Sequence, residues 1–249
     1  MDDQTLLVLA LAFALIAALY GSVGHAGASG YLAVMALLGV APDVMRPTAL
    51  VLNLAVAAIG TLRFARAGLT SWQALLPLVA TSVPLAVLGG SIKLPVQGYR
   101  ALVGVVLLVS AVVLAWRAYS HLQPVEEGPI RLPTSMALMI GAVIGVLSGL
   151  TGTGGGIFLS PLLLLAGWAG PRRTAGLAAP FILLNSAAGL TGLGWASARF
   201  PAGLPWLVAA VLAGGYFGTQ LGAHRLPARA LLALLATVLL IAGTKLLLT

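Results

Sequence analysis

The sequence predicts an all-α fold: a polytopic membrane protein of two inverted-topology repeats, each with a Gly-rich broken-helix hairpin plus three transmembrane helices. Three observations predict it. The 249 residues are 60% hydrophobic and only 7% charged, with a mean hydropathy of +1.08. A soluble domain of this size needs far less apolar surface, whereas segments of about 20 apolar residues fit a bilayer. Second, Gly149-Leu150-Thr151-Gly152-Thr153-Gly154-Gly155-Gly156 interrupts an apolar run with five glycines in eight residues. Each helix-interior Gly costs roughly 1 kcal/mol relative to Ala, so no unbroken helix is expected there. Third, the interruption occurs twice. Gly21-Ser22-Val23-Gly24-His25-Ala26-Gly27-Ala28 aligns with it at a constant offset of 128, and the alignment runs without a gap to Gly39 and Gly167. Further on, Arg46-Pro47-Thr48-Ala49-Leu50 echoes Arg172-Arg173-Thr174-Ala175-Gly176, and Asn53 and Asn185 follow. The chain thus divides into repeats at 1–125 and 126–249 within a single membrane domain.

Taken in order, the first repeat starts with an apolar run at 5–20. It carries Asp2 and Asp3 but no basic residue ahead of it, so it is expected to be a retained membrane helix rather than a cleaved signal. The first break follows, then a short run at 29–40. At 1.5 Å per residue such a run spans about 18 Å, short of the ~30 Å hydrocarbon core, and is expected to be tilted or re-entrant. Runs at 46–63, 72–92 and 98–117 complete the repeat. The segment 118–132 is polar, with His121, Glu126, Glu127 and Arg131, and its Pro124, Gly128 and Pro129 mark an irregular connector. The second repeat gives 134–148, the second break, 157–168, 174–195, 204–222 and 228–248. Two shortened segments are expected around each break.

Five segments per repeat, with the pair around the break forming a hairpin, make the second repeat upside-down relative to the first. Of the 13 basic residues, eight fall on one side of this arrangement, among them Arg63, Arg66, Arg172 and Arg173. Five fall on the other: Arg46, Lys93, Arg100, Arg199 and Lys245. The richer side is expected to be cytoplasmic, which leaves both termini outside.

The five acidic residues lie at the N-terminus or in loops, and none lies inside an apolar run. That argues against a cation pathway, because carboxylates are the usual intramembrane cation ligands and proton carriers. The polar groups near the breaks are instead hydroxyls, amides and one imidazole. The candidate substrate-binding residues are Ser22, Gly24, His25, Gly27, Ser29 and Asn53 in the first half, and Thr151, Gly152, Thr153, Gly154, Gly155, Gly156 and Asn185 in the second. Ser148 and Ser160 lie nearby. Helices starting near Ala28 and Gly156 would aim free N–H groups and positive dipole ends at the breaks, a cradle suited to a small anion. His25 is the one ionisable residue inside a break. It is either a neutral packing group or an anion donor that could couple transport to protons, since imidazole titrates near neutrality. Asn53 and Asn185 either fasten helices or bind substrate. Arg46, just before Pro47, is expected to snorkel to the interface, the alternative being a role in attracting anions.

The +8 net charge is scattered over loops without a basic tail or an aromatic-basic patch, so nucleic acid is not an expected partner; lipid is. There is no cysteine, no Walker A pattern and no metal-ligand spacing, so neither cofactor, metal nor catalytic residue is expected. No motif specifies an oligomeric state. A rival reading takes Gly27-Ala28-Ser29-Gly30 as GxSG, which resembles the serine motif of rhomboid intramembrane proteases, with His224 as the base.

The duplicated Gly21–Ala28 and Gly149–Gly156 motif resembles that of the sulfite exporter TauE/SafE family, as do Met45-Arg46-Pro47-Thr48-Ala49-Leu50-Val51-Leu52-Asn53 and the segment from Thr174 to Asn185. The resemblance covers nearly the whole chain. It implies a multi-pass secondary transporter of the bacterial inner membrane, exporting small sulfur-containing oxyanions such as sulfite or organosulfonates. The first motif departs from the second: His25 stands in place of Thr153, and Ala26 and Ala28 in place of Gly154 and Gly156. The first half-site is expected to be narrower or pH-sensitive.

Overall fold

The computed structural model describes residues 3–22, 24–119, 129–194, 198–221 and 228–248. Asp2, Val23, His121, Glu126, Glu127, His224 and Arg225, and most of the expected connector, lie outside them. Among the described residues there are ten α-helices and no strand. They are α1 (Asp3–Ser22), α2 (Ala28–Leu37), α3 (Pro42–Arg66), α4 (Trp72–Ser91), α5 (Val96–Tyr119), α6 (Thr134–Thr151), α7 (Gly156–Leu165), α8 (Pro171–Leu193), α9 (Leu204–Leu221) and α10 (Ala228–Leu248). Six of these, α1, α3, α4, α5, α6 and α8, are long and apolar enough to cross a bilayer.

One expectation is corrected. The segments before the breaks are not shortened: α1 has 20 residues and α6 has 18. Gly21 and Gly149 stay helical, and the chain leaves the helix only at the following turn. Only the segments after the breaks, α2 and α7, are short, at 10 residues each.

Leu7, Leu11 and Leu15 on α1 are exposed, while Leu9, Phe13, Ile16 and Tyr20 are buried. In water the exposed leucines would be a liability; facing lipid tails they carry no penalty. Since lipid is as apolar as leucine, burial alone cannot drive helices together, and close backbone packing must. Glycine stripes supply it. On α6, Gly141, Gly145 and Gly149 lie against Leu78, Ser82 and Ala86 of α4, so closely that an added Cβ would sit 2.2, 2.4 and 2.3 Å from their carbonyl oxygens. Gly214 and Gly218 of α9 press against Ala14 and Ala18 of α1 in the same way. In both seams residue numbers rise together, so the paired helices run parallel. The two long central helices do the opposite: Leu50, Asn53 and Gly60 of α3 face Gly189, Ser186 and Ala179 of α8, an antiparallel pair. Two buried apolar clusters draw on this pair and its neighbours. One includes Phe13, Tyr31, Leu107 and Leu239; the other includes Leu78, Ile144, Leu163 and Phe181.

Candidate functional site

Both breaks are built by left-handed glycines. In the first, Gly24 (φ 79°) and Gly27 (φ 100°) turn the chain between α1 and α2; in the second, Gly152 (φ 81°), Gly154 (φ 72°) and Gly155 (φ 81°) turn it between α6 and α7. An L-residue held there costs roughly 1–2 kcal/mol, which is why glycine recurs at these positions. Gly154 has no left-handed counterpart, because Ala26 stands at the matching position and no non-glycine residue has positive φ among the described residues.

Each break is gripped by the long helix of the other half. Gly24 abuts Ala175 of α8, and Gly152 abuts Arg46 of α3. The breaks also approach each other: a Cβ on Gly156 would lie 3.7 Å from Cδ2 of His25. The N-caps of α2 and α7, Gly27 and Gly155, offer no side chain to the first turn. Both short helices therefore start with N–H groups and a positive dipole end, worth about half an elementary charge each, that no capping side chain satisfies.

The opposing ends of α1 and α6 carry carbonyls of the contrary polarity, and these are occupied. Around the second break Asn53 Nδ2 donates to Thr153 O at 3.2 Å and Tyr99 Oη to Thr151 O at 3.1 Å. Thr151 Oγ1 bonds Leu147 O at 2.7 Å and Thr153 Oγ1 at 2.9 Å. Around the first, His25 N–H donates to Tyr20 O and Tyr31 Oη to Ala26 O.

Arg46 corrects the expectation that it reaches the membrane interface. It is 6% exposed, and its guanidinium donates to the carbonyls of Gly89 at 2.8 Å, Gly90 at 2.7 Å, Ile92 at 3.2 Å and Gly149 at 2.5 Å. These are the C-terminal carbonyls of α4 and α6, the negative ends of two helix dipoles. Inserting a charged side chain into a membrane helix costs about 3 kcal/mol on biological insertion scales, and hydrogen bonds to a charged group return roughly 1.5–3 kcal/mol each. Nη2 has two N–H groups for its three carbonyls and Nη1 serves Ile92, so even the equivalent of three full bonds offsets the burial. α3 starts at Pro42 rather than at Arg46, which places the arginine inside the helix.

The remaining candidates divide. Ser22 Oγ bonds back to Leu19 O at 2.7 Å, and Ser29 Oγ, 3% exposed, bonds Tyr20 Oη at 2.8 Å. The hydroxyl that a protease would need as nucleophile is thus held by a tyrosine, and His224 lies outside the described residues. Asn53 sits at the second break; Asn185 does not sit at the first, but joins α8 to α4 through Ser82 Oγ at 3.0 Å and bonds Phe181 O at 2.9 Å. Asn53 Oδ1, Asn185 Oδ1, Ser148 Oγ, Ser160 Oγ and Thr48 Oγ1 are buried with no partner among the described residues. Orphaned buried acceptors and hydroxyls are rare, and Ser148 lies beside Gly155, within the second break's first layer of side chains.

A cavity of about 460 Å³ has in its lining Arg46 and Tyr99, two residues that also contact the second break. On the other side, the cavity beside His25, between Gly24, Val56 and Ala57, is only about 10 Å³.

The profile of the family described as sulfite exporter TauE/SafE matches residues 9–246. A probable membrane transporter protein, y4hK of Sinorhizobium fredii, is 43% identical over 245 residues, covering 98% of this chain and 99% of its own. The chain belongs to the TauE/SafE family. It is accordingly a multi-pass membrane transporter. No solved structure gives a significant match. Of the residues that shape the break in this TauE/SafE protein, sequence reasoning missed the buried state of Arg46 and passed over Tyr99, Tyr20 and Ser186. Their partners are backbone oxygens, a hydroxyl and the Asn53 amide, brought together only by tertiary packing. An arginine set at the start of an apolar run was the one available signal.

Proposed function

We propose that the protein is a secondary transporter of small sulfur-containing oxyanions, sulfite or organosulfonates, in a bacterial inner membrane, and that it acts as an exporter with its site at the two glycine breaks. The observation that carries this reading is electrostatic. Two helix starts lack capping side chains and belong to breaks that meet at His25 and Gly156, while Arg46 and Tyr99 occupy carbonyls at the end of α6 and Asn53 and Tyr31 occupy carbonyls within the breaks. The free helix starts then favour an anion at the breaks, with the Arg46 guanidinium engaged by carbonyls beside the second. Neutral N–H donors and hydroxyls hold an anion weakly enough for release. Ser148, Thr153, Asn53 and His25 are the side chains that would meet it, with Asn185 fastening the helix behind. Antiparallel packing of α3 on α8 supports an inverted-repeat arrangement with the site between the halves. His25 is the candidate for proton coupling.

The experiment is uptake of a panel of labelled anions and cations into proteoliposomes, with and without an imposed pH gradient. Sulfite or a short sulfonate should move and be competed by its relatives. Movement of cations alone would overturn the reading.

A further inference from the structure

The cavity that shares Arg46 and Tyr99 with the second break carries charged residues that the breaks themselves lack. Its lining includes Arg46, Lys93 and Arg199 with a single carboxylate, Asp43. Arg199 Nη1 pairs with Asp43 Oδ2 at 3.2 Å, but both side chains are well exposed, at 77% and 50%. Such an exposed pair contributes on the order of 1 kcal/mol or less, so it does not remove Arg199 from the field of the cavity. Three cations therefore face one anion. Two lining residues also contact the second break: Arg46 touches Gly152, and Tyr99 bonds Thr151 O. Arg46 is more than nine-tenths buried, and its Nε has no partner among the described residues. A cleft with low-dielectric walls and one predominant sign of charge concentrates ions of the opposite sign.

We infer that this cavity is an anion-holding vestibule on the export side of the second break, in which Lys93 and Arg199 attract small oxyanions or sulfonates that pass Arg46 while Asp43 moderates the attraction. The inference rests on the transporter reading for its purpose, but not for its test. Because the chain has no native cysteine, a single thiol can report the local field. Val96→Cys places one on the cavity wall, at a residue 55% exposed. The probes are the anionic sulfonatoethyl and the cationic trimethylammonioethyl methanethiosulfonates, with each rate divided by that of free 2-mercaptoethanol. Any change in thiolate fraction affects both reagents equally and cancels in their ratio.

At low ionic strength the anionic reagent should be favoured by about tenfold or more, the lower end of electrostatic focusing. In 0.5 M salt, where the Debye length is only about 4 Å, the preference should largely disappear. Lys93→Gln with Arg199→Gln should flatten it, and Asp43→Asn, acting with the opposite sign, should increase it. A ratio near one, or a preference that none of these substitutions moves, overturns the vestibule. If the preference holds but proteoliposomes carry no oxyanion, the proposed function fails and the vestibule stands. If oxyanion transport is normal but the ratio is flat, the vestibule fails and the proposed function stands.

Discussion

Gly154 and Gly39 adopt the same backbone angle, φ 72°, in opposite surroundings. Nothing lies within 4 Å of a Cβ added at Gly39. At Gly154 the same atom would lie 2.6 Å from Asn53 Nδ2, 2.7 Å from Ser186 Oγ and 2.9 Å from Ile182 Cγ2. Gly39→Ala should thus lose only the conformational term, about 1–2 kcal/mol. Gly154→Ala bears that term and must also displace Asn53. This sacrifices its two donor bonds, roughly 0.5–1.5 kcal/mol each, and strains a packed interior by about 1–3 kcal/mol. The pair should differ by about 2–6 kcal/mol. Unfolding of the purified proteins by SDS in mixed micelles, followed by the fluorescence of the five tryptophans, measures the difference. Transport in proteoliposomes should persist in Gly39→Ala and fall at least about tenfold in Gly154→Ala, since an effect of 1.4 kcal/mol on a transport barrier already gives that factor. Equal stabilities for the two variants, or parental transport by Gly154→Ala, would refute the argument that the second break is a packed, substrate-facing turn.

Other substitutions separate structural from functional roles. Asn53→Ala and Asn185→Ala each remove interhelical hydrogen bonds worth about 0.6 kcal/mol on average in membranes, so their melting points should fall alike, while only Asn53→Ala should raise the KM for sulfite. Arg46→Lys keeps the charge but gives up the planar fork that reaches carbonyls of both α4 and α6. It should destabilise the protein by roughly 1.5–3 kcal/mol for each bond lost, read in the same SDS titration. His25→Gln keeps a donor and removes the titration. If imidazolium binds the anion, parental affinity falls as pH rises through the histidine range, about pH 5–8, and the variant's profile is flatter. Superimposable profiles, measured with an anion of constant charge, would make His25 a packing residue.

The breaks were legible because glycine inside an apolar run has few purposes other than a turn or a close approach. The starts of α2 and α7, Ala28 and Gly156, fall where free helix ends were expected. Long spans were legible from length: 72–92 and 228–248 differ from α4 and α10 by at most one residue. The breaks begin later than expected, since a glycine such as Gly149 can remain helical when its bare surface is what lets α4 approach. The role of Arg46 was hidden because its partners are main-chain carbonyls brought in from α4 and α6, more than 40 residues away in one case and more than 100 in the other. The paired asparagines looked equivalent by position, but Asn53 meets a break and Asn185 meets Ser82, a distinction made only by tertiary packing.

The glycine seams join helices from different halves of the chain: α4 with α6, and α1 with α9. The antiparallel couple α3–α8 also crosses between halves, as does the contact of Gly104 on α5 with Gly243 on α10. Neither half keeps a complete set of its closest backbone contacts to itself. An isolated half would leave bare glycine stripes and the buried charge of Arg46 facing lipid, without the carbonyl of Gly149 that helps to neutralise it. The two sequences related by the 128-residue offset are thus interlocked strands of one object, not modules joined by a tether. A precursor consisting of a single copy would have been obliged to assemble as a dimer, with every seam now internal lying between two chains.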